Sequence, residues 1–426
     1  MSSTARRERI VVVGGGATGT FAALGLRQAG HTGSLTLVSA EHRVAYERPP
    51  LSKDVLLHPG SPAPLIGGQG ALDAAGVLVR AGAGVVSIDR TARGVVLQGG
   101  EVIGYDRLLL ATGSRARPLS VPGGELALSL RDHDDADRLS ARLVAGAEVV
   151  VIGGGFVGLE VAAAAVARGA RVRVLEAAPQ VLGRTVPPAL AAEVADVHAA
   201  HGVEVRCGVR IERLRAEPGP AGGHLLVDLR NPGERPDGTG ETLRADVVVA
   251  GVGAQPCTDI AAAAGLTVAD GIVVDAFLRT ADPAIWAGGD CCAFPLAHEG
   301  GRRVRVESWR NAQDQGSYLA TAMLGDTPDT PFAAVPWFWS DQYDRTLQLA
   351  GLPDPSDVAV TRLRPDGVRL HFGVTGHGRL RSAGAIGSGN AVARDVRAAQ
   401  RLIARRVVPD LAALADPTVP LASLSG

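Results

Sequence analysis

The chain has 426 residues, 46% of them hydrophobic and 20% charged, with a formal net charge of −1. That length exceeds one ordinary core and predicts two or three domains. A near-neutral balance without a basic block argues against nucleic acid, and no apolar run reaches the roughly 18 residues of a membrane span; a soluble globular protein is expected, and cysteine usage without a disulfide pattern points to the cytoplasm.

Aromatic residues make up only 4%, so the core must rest on Ala, Val and Leu. Nearly every basic residue is arginine; the single lysine is Lys53, in "AYERPPLSKD". The start, "MSSTARRERIVVVGGG", has basic residues before apolar ones, as a signal peptide does. The apolar run is too short and breaks into glycines, which predicts a strand entering a tight turn.

In chain order, a strand over 10–13 runs into Gly14, Gly16 and Gly19. A helical pattern follows to Gly30, then a strand in "SLTLVSAE" ending at Glu41. This is one βαβ unit with a G-x-G-x-x-G turn. "YDRLLLATGSRARP" reads as a strand entering a turn of small residues. The βαβ pattern then recurs in "AEVVVIGGGFVGLEVAAAAVARGARVRVLEAAP". A strand to Ile152 meets Gly153, Gly155 and Gly158, an Ala-rich helix follows, and a strand ends at Glu176.

In each turn the first glycine makes the bend, the second admits a pyrophosphate and the third packs helix on strand. The helix N-terminus offers free N–H groups to phosphate. Each acid lies about 20 residues past its third glycine, where it meets ribose hydroxyls. One such fingerprint is weak evidence; two with flanking strands are strong.

Residues 216–240, rich in Gly, Pro and charge, read as a long exposed hairpin or loop. "ADVVVAGVGAQP" is another strand and turn. Residues 271–295 hold two short strands and a Gly-Gly-Asp turn, and 304–324 read as helix. From about 326 the pattern becomes an antiparallel meander around Asp-Gly and Gly-His-Gly turns, closed by a helix in "ARDVRAAQRLIARR". The cysteines at 207, 257, 291 and 292 form no C-x-x-C and suggest neither a redox disulfide nor a metal site.

Two dinucleotide sites in one chain suggest two cofactors exchanging electrons, FAD and a nicotinamide. The stretches "YERPPLSK", "ATGSRARP", "GGGFVGLE", "GGDC", "ESWRNAQDQG" and "VPWFWSDQYD" resemble the FAD-dependent NAD(P)H:ferredoxin reductases of bacterial oxygenase systems. These belong to the pyridine nucleotide-disulfide oxidoreductase superfamily. The resemblance covers nearly the whole chain, and "VPWFWSDQYD" is its narrowest motif.

The resemblance implies an α/β fold. Two Rossmann-like dinucleotide-binding domains, as in glutathione reductase, carry a C-terminal α/β domain. The FAD domain would be discontinuous over 1–115 and 250–325, the NAD domain would span 116–249, and 326–426 would form an interface domain. FAD would lie on Gly14, Gly16 and Gly19, with Glu41 at its ribose and Val85 at its adenine side. Ala111 and Gly113 would pass close to it, Arg48 and Arg131 would approach phosphates or ring, and Asp290 would bind the ribityl chain. The helix beginning near Trp309 would point its positive end at the flavin carbonyl.

Lys53 would reach the flavin ring beside carboxylates, with Glu160 near both Lys53 and the nicotinamide amide. Phe156 would cover the flavin face, and Trp339 would stand close to the ring. Gly153, Gly155, Gly158 and Glu176 would hold the nicotinamide cofactor. Glu176 favours NADH over NADPH, because a carboxylate repels the extra phosphate. Two departures stand out: Ala40 replaces an acid that usually precedes Glu41, and Trp309 replaces a smaller apolar residue.

The cysteine pair of disulfide-reducing relatives is missing from "YERPPLSK", so the electron acceptor should be external. The resemblance implies a 2Fe–2S ferredoxin feeding a cytochrome P450 or a Rieske oxygenase, and a monomer or weak dimer. Arg302, Arg303, Arg305 and Arg310 could steer an acidic ferredoxin. Two alternatives remain: a reductase of rubredoxin, oxygen or quinone, and a binding or signalling flavoprotein like the apoptosis-inducing relatives.

Overall fold

In a computed structural model the described residues are 8–183, 185–219, 223–230, 240–325 and 330–424. They divide into two compact units. One takes the described residues of Met1–Glu47, Ala63–Arg115 and Gln255–Pro336; the other takes those of Arg48–Pro62, Ala116–Ala254 and Trp337–Gly426.

The first unit is built on a parallel sheet in the order Ile285–Ala287, Arg107–Leu110, Ile10–Val13, Leu35–Val38, Leu78–Arg80. Ile10–Val13 lies between two neighbours and is buried along its whole length. That is why its sequence is continuously apolar rather than alternating. The helix Ala17–Gln28 follows the glycine turn, buries Ala22, Ala23 and Leu26, and packs on the helix Trp309–Ala322. A second layer holds the antiparallel ladder Val85–Asp89, Gly94–Leu97, Val102–Gly104.

Two elements end differently from the sequence expectation. The strand expected to reach Glu41 stops at Val38. Ser39 Oγ accepts the Glu41 N–H at 3.2 Å, and this local bond turns the chain out of the sheet. The helix expected from 304 starts at Trp309, because Arg302–Val304 pairs as a strand with Cys292–Leu296.

The second unit repeats the theme with the parallel order Glu204–Cys207, Arg171–Glu176, Glu148–Ile152, Val247–Ala250. The helix Phe156–Ala167 is apolar nearly all round and buries eight of its residues. Such a helix belongs inside rather than on a surface. An antiparallel sheet of Arg210–Glu217, His224–Arg230 and Glu241–Ala245 packs Leu214, Val227 and Leu229 onto Val150, Ile152 and Leu175. The hairpin expected at 216–240 is therefore the inner part of this ladder. Residues 220–222 and 231–239 of that expectation lie outside the described residues.

The carboxy-terminal meander forms the order Trp337–Gln342, Arg345–Gly351, Leu380–Gly387, Arg369–Val374, Val358–Leu363. The helix Asn390–Ala404 covers it with Val392, Val396, Ala399, Leu402 and Ile403. The segment around Lys53 also belongs to this unit. A 3-10 turn, Pro49–Ser52, leads into the short helix Asp54–Leu57 and buries Leu51, Val55 and Leu56. Arg168 Nη1 anchors it by donating to Leu56 O at 3.0 Å and Ser140 O at 2.8 Å.

A helix over Pro188–Ala200, opened by proline, was not anticipated from the sequence. It carries His198, which is 0% exposed. Burial holds that imidazole down to a pKa of about 4 against an ordinary 6.5. A base whose folded pKa is depressed contributes stability that is present above pH 6.5 and lost as pH falls toward 4. Acid titration of unfolding free energy should therefore show a loss on the order of 3 kcal/mol across that window. In His198→Phe that component should vanish, leaving a flatter profile.

Among the described residues no helix is long and apolar enough to cross a membrane, and no cluster of His, Cys, Asp and Glu could hold a metal ion.

Candidate functional site

The first unit presents a dinucleotide cradle at the carboxyl edge of its parallel sheet, where ligands of such sheets bind. Gly14 has φ +122°. A Cβ there would lie 2.0 Å from Ala111 O, and one at Gly19 would lie 1.9 Å from Gly14 O. Both positions demand glycine for backbone contact. Gly16 is the opposite case: no atom lies within 4 Å of where its Cβ would be, so its face is open. Gly16 also caps the helix Ala17–Gln28, which has no side-chain cap and no acid in its first turn. Its unpaired N–H groups and partial positive charge are left for an anion.

The other expected residues of this unit leave the same sheet edge. Ala111 and Gly113 follow Arg107–Leu110, and Asp290 follows Ile285–Ala287. Asp290 Oδ2 accepts from Ser114 Oγ at 2.8 Å. Glu41 Oε2 accepts from Tyr46 Oη at 2.6 Å, which fixes that carboxylate just past its strand. Val85 opens its strand half-buried. Trp309 opens its helix and meets Phe21 edge-on, with centroids 5.9 Å apart. The open face at Gly16, the uncapped helix and the oriented acids fit a dinucleotide such as FAD.

The second unit repeats the cradle. Gly153 has φ +105°, and a Cβ at Gly158 would lie 2.1 Å from Gly153 O. Gly155 meets only Gly251 O, at 3.9 Å. Glu176 closes the strand Arg171–Glu176 and turns onto the glycine lip. Its Oε2 accepts from the Gly154 N–H and its Oε1 from the Ala178 N–H, both at 2.7 Å.

Within the same unit Lys53 sits in a carboxylate setting. Its Nζ lies 3.3 Å from Glu160 Oε1 and 3.8 Å from Asp341 Oδ2. It also stands 5.5 Å from the Trp339 ring centroid, within cation–π range. Glu160 is buried; its Oε1 accepts from Ser340 Oγ at 2.6 Å, and its Oε2 accepts from Ser52 Oγ. Burial pushes the Glu160 carboxyl above the usual carboxylate range, while Lys53 and the two hydroxyls pull it back. Phe156 stacks on Phe338 with centroids 6.2 Å apart. Arg48 Nη1 donates to Arg131 O at 2.6 Å.

The structure thus brings Lys53, Glu160 and Trp339 together with Ser52, Ser340 and Asp341. The signal for the last two lay in "VPWFWSDQYD". Alternation on a strand puts Ser340 and Gln342 on one face and Trp339 and Asp341 on the other.

The four arginines are held locally. Arg303 Nη1 donates to Val274 O and Ala293 O at 2.7 Å. Arg305 pairs with Asp270 and Glu307, Arg310 with Asp314 and Arg302 with Glu299. Cys291 and Cys292 are fully buried, and burial raises both thiols.

Residues 8–316 match the family model for pyridine nucleotide-disulphide oxidoreductases, and 337–425 match the reductase C-terminal model. The chain is 40% identical over 417 residues to the anthranilate 1,2-dioxygenase system ferredoxin–NAD(+) reductase component of Burkholderia cepacia, covering 96% of this chain and 98% of that one. It is 40% identical over 357 residues to rhodocoxin reductase of Rhodococcus erythropolis, covering 83% and 80%. The solved covalent putidaredoxin reductase–putidaredoxin complex superimposes with a TM-score of 0.88 at 33% identity, covering 98% of each chain. The chain belongs to the pyridine nucleotide-disulphide oxidoreductase family, in the branch that contains the ferredoxin–NAD(+) reductases of oxygenase systems.

Proposed function

We propose that the chain is an NADH-dependent ferredoxin reductase that passes electrons through FAD to a 2Fe–2S ferredoxin serving a cytochrome P450 or Rieske oxygenase. One observation carries this: the chain builds two glycine cradles, each with an open central glycine and its own acid. FAD, when bound, supplies the acceptor of hydride and the donor of single electrons.

The residues divide the remaining work. Gly14, Gly16, Gly19, Glu41, Val85, Ala111, Gly113 and Asp290 bind FAD, with Arg48, Arg131 and Trp309 assisting. Gly153, Gly155, Gly158 and Glu176 bind NADH. Lys53 holds positive charge where negative charge develops, and Glu160 holds Lys53. Phe156 and Trp339 border the reacting faces. The three-domain division expected from the sequence, a cytoplasmic location and a monomer or weak dimer belong to the same proposal. Of the four arginines, Arg302 and Arg310 are the better steering candidates: their side chains are 47% and 48% exposed, against 11% for Arg305.

Glu176 supports NADH as the donor, since its carboxylate would accept from both ribose hydroxyls and repel a phosphate. Glu176→Ala should lower kcat/KM for NADH by about 10- to 100-fold and narrow the preference over NADPH, measured with both nucleotides. The overall test is reduction of purified FAD-loaded protein by NADH, followed by mixing with ferredoxin and reading cytochrome c reduction. Bleaching without transfer to any ferredoxin, but with turnover on rubredoxin, quinone or oxygen, would replace the acceptor.

A further inference from the structure

A buried hydrogen-bond chain leads away from Glu160 through residues that the proposed function leaves without a task. Glu160 Oε1 accepts from Ser340 Oγ at 2.6 Å. Ser340 Oγ accepts from Gln342 Nε2 at 2.9 Å. Gln342 Oε1 faces His198 Nε2 at 2.9 Å, and His198 Nδ1 faces Tyr343 Oη at 3.0 Å. Gln342, Ser340 and His198 are at most 1% exposed, so no solvent competes for the bonds between Glu160 and His198.

The donors all point one way. An ionised Glu160 only accepts, so Ser340 must donate to it. Ser340 then takes a proton from the Gln342 amide, which leaves Gln342 Oε1 to accept from His198. The ring must therefore carry its proton on Nε2, and its bare Nδ1 accepts from Tyr343. A glutamine amide does not relay protons readily, so this chain orients rather than conducts.

The outer end shows a cost. Tyr343 sits in the two-residue connection between Trp337–Gln342 and Arg345–Gly351 with φ +56°. A bulky residue in the left-handed region is strained, and such strain persists where surroundings demand it. The two-residue hairpin connection itself calls for φ > 0 at its first position, and two histidines pack on the ring held there: His201 stacks on it at 3.6 Å, and His198 meets it edge-on at 5.2 Å.

We propose that His198 and Tyr343 are positioning residues, acting through Gln342 and Ser340 to hold Glu160 as the ionised, oriented partner of Lys53. The groups facing Glu160 are Lys53, Ser52 and Ser340, with Asp341 beyond Lys53. Those facing His198 are Tyr343, Gln342 and, by charge, His201. Breaking the chain at its middle frees the Ser340 hydroxyl to turn away, and a buried carboxylate that loses a donor is protonated more readily. This consequence for catalysis rests on the proposed role of Glu160 in hydride transfer from NADH.

The test uses FAD-loaded protein labelled with nitrogen-15 at histidine and carbon-13 at the glutamate carboxyl. The expected results are a His198 ring protonated on Nε2 and a Glu160 titration that moves up by about one pH unit in His198→Phe. The acid limb of NADH-driven FAD reduction should move up by the same amount. His198→Gln, which keeps an N–H toward Gln342, should restore both, and Gln342→Leu should repeat the loss if His198→Phe does not fold. A His198 ring protonated on Nδ1, or a Glu160 titration unmoved by either break, overturns the chain. If the titration moves and the NADH profile does not, the chain stands and the catalytic role given to Glu160 falls.

Discussion

Replacing Lys53 by Met should slow the reduction of bound FAD by NADH about 10²- to 10³-fold in stopped-flow measurements, the usual cost of deleting one positioned stabiliser of developing charge. The expectation follows from the proposed role of Lys53 and from its setting. Its side chain is 15% exposed, and its ammonium shares two carboxylates and lies over the Trp339 ring. Lys53→Arg should recover little of the rate, because a planar guanidinium fork does not fill the place of a compact ammonium.

Removing the charge also strands a buried acid. Leaving Glu160 unpaired costs about 3–5 kcal/mol or forces it to take up a proton. The double variant Lys53→Met/Glu160→Gln should therefore regain most of the thermal stability while the rate stays low. Rate recovered along with stability would show that Lys53 is a structural ion-pair partner and nothing more.

The second large effect separates the two cradles. Gly19→Ala drives a Cβ to within 1.9 Å of Gly14 O, and Gly158→Ala drives one to within 2.1 Å of Gly153 O. Neither neighbour is a flexible side chain, so the backbone must move, and displacements of about 1 Å at such sites cost about 10²-fold. Gly19→Ala should purify with little flavin colour. Gly158→Ala should purify yellow and bleach with dithionite, yet respond to NADH at least about 10²-fold more slowly. Equal flavin loss in both variants, or exchanged phenotypes, would reverse the cofactor assignment.

Much of this was legible in the residues. The two βαβ units read directly, because a continuous apolar strand followed by spaced glycines has few other meanings in a soluble chain. Lys53 stands out by composition as the single lysine, and Glu160 only through the family resemblance. What surrounds them was less visible. Ser52, Ser340 and Asp341 are common polar residues whose importance arises only when distant segments meet. His198 lies in a helix whose Ala-rich sequence carries weak periodicity. The early end of the strand at Val38 has a related cause: Ser39 binds the Glu41 N–H locally, an option that apolar patterning does not register.

The assignment of Arg48–Pro62 to the second unit has a consequence for how the polypeptide is made and dissected. The backbone passes between the two units at 47/48, 62/63, 115/116, 254/255 and 336/337. No contiguous gene fragment therefore encodes either unit. A nascent chain on the ribosome must keep the Lys53 segment waiting for Glu160, and both for Ser340. Early release would leave the apolar faces of Leu51, Val55 and Leu56 without their cover, so chaperone demand during synthesis should exceed that of a protein of equal size with units laid end to end.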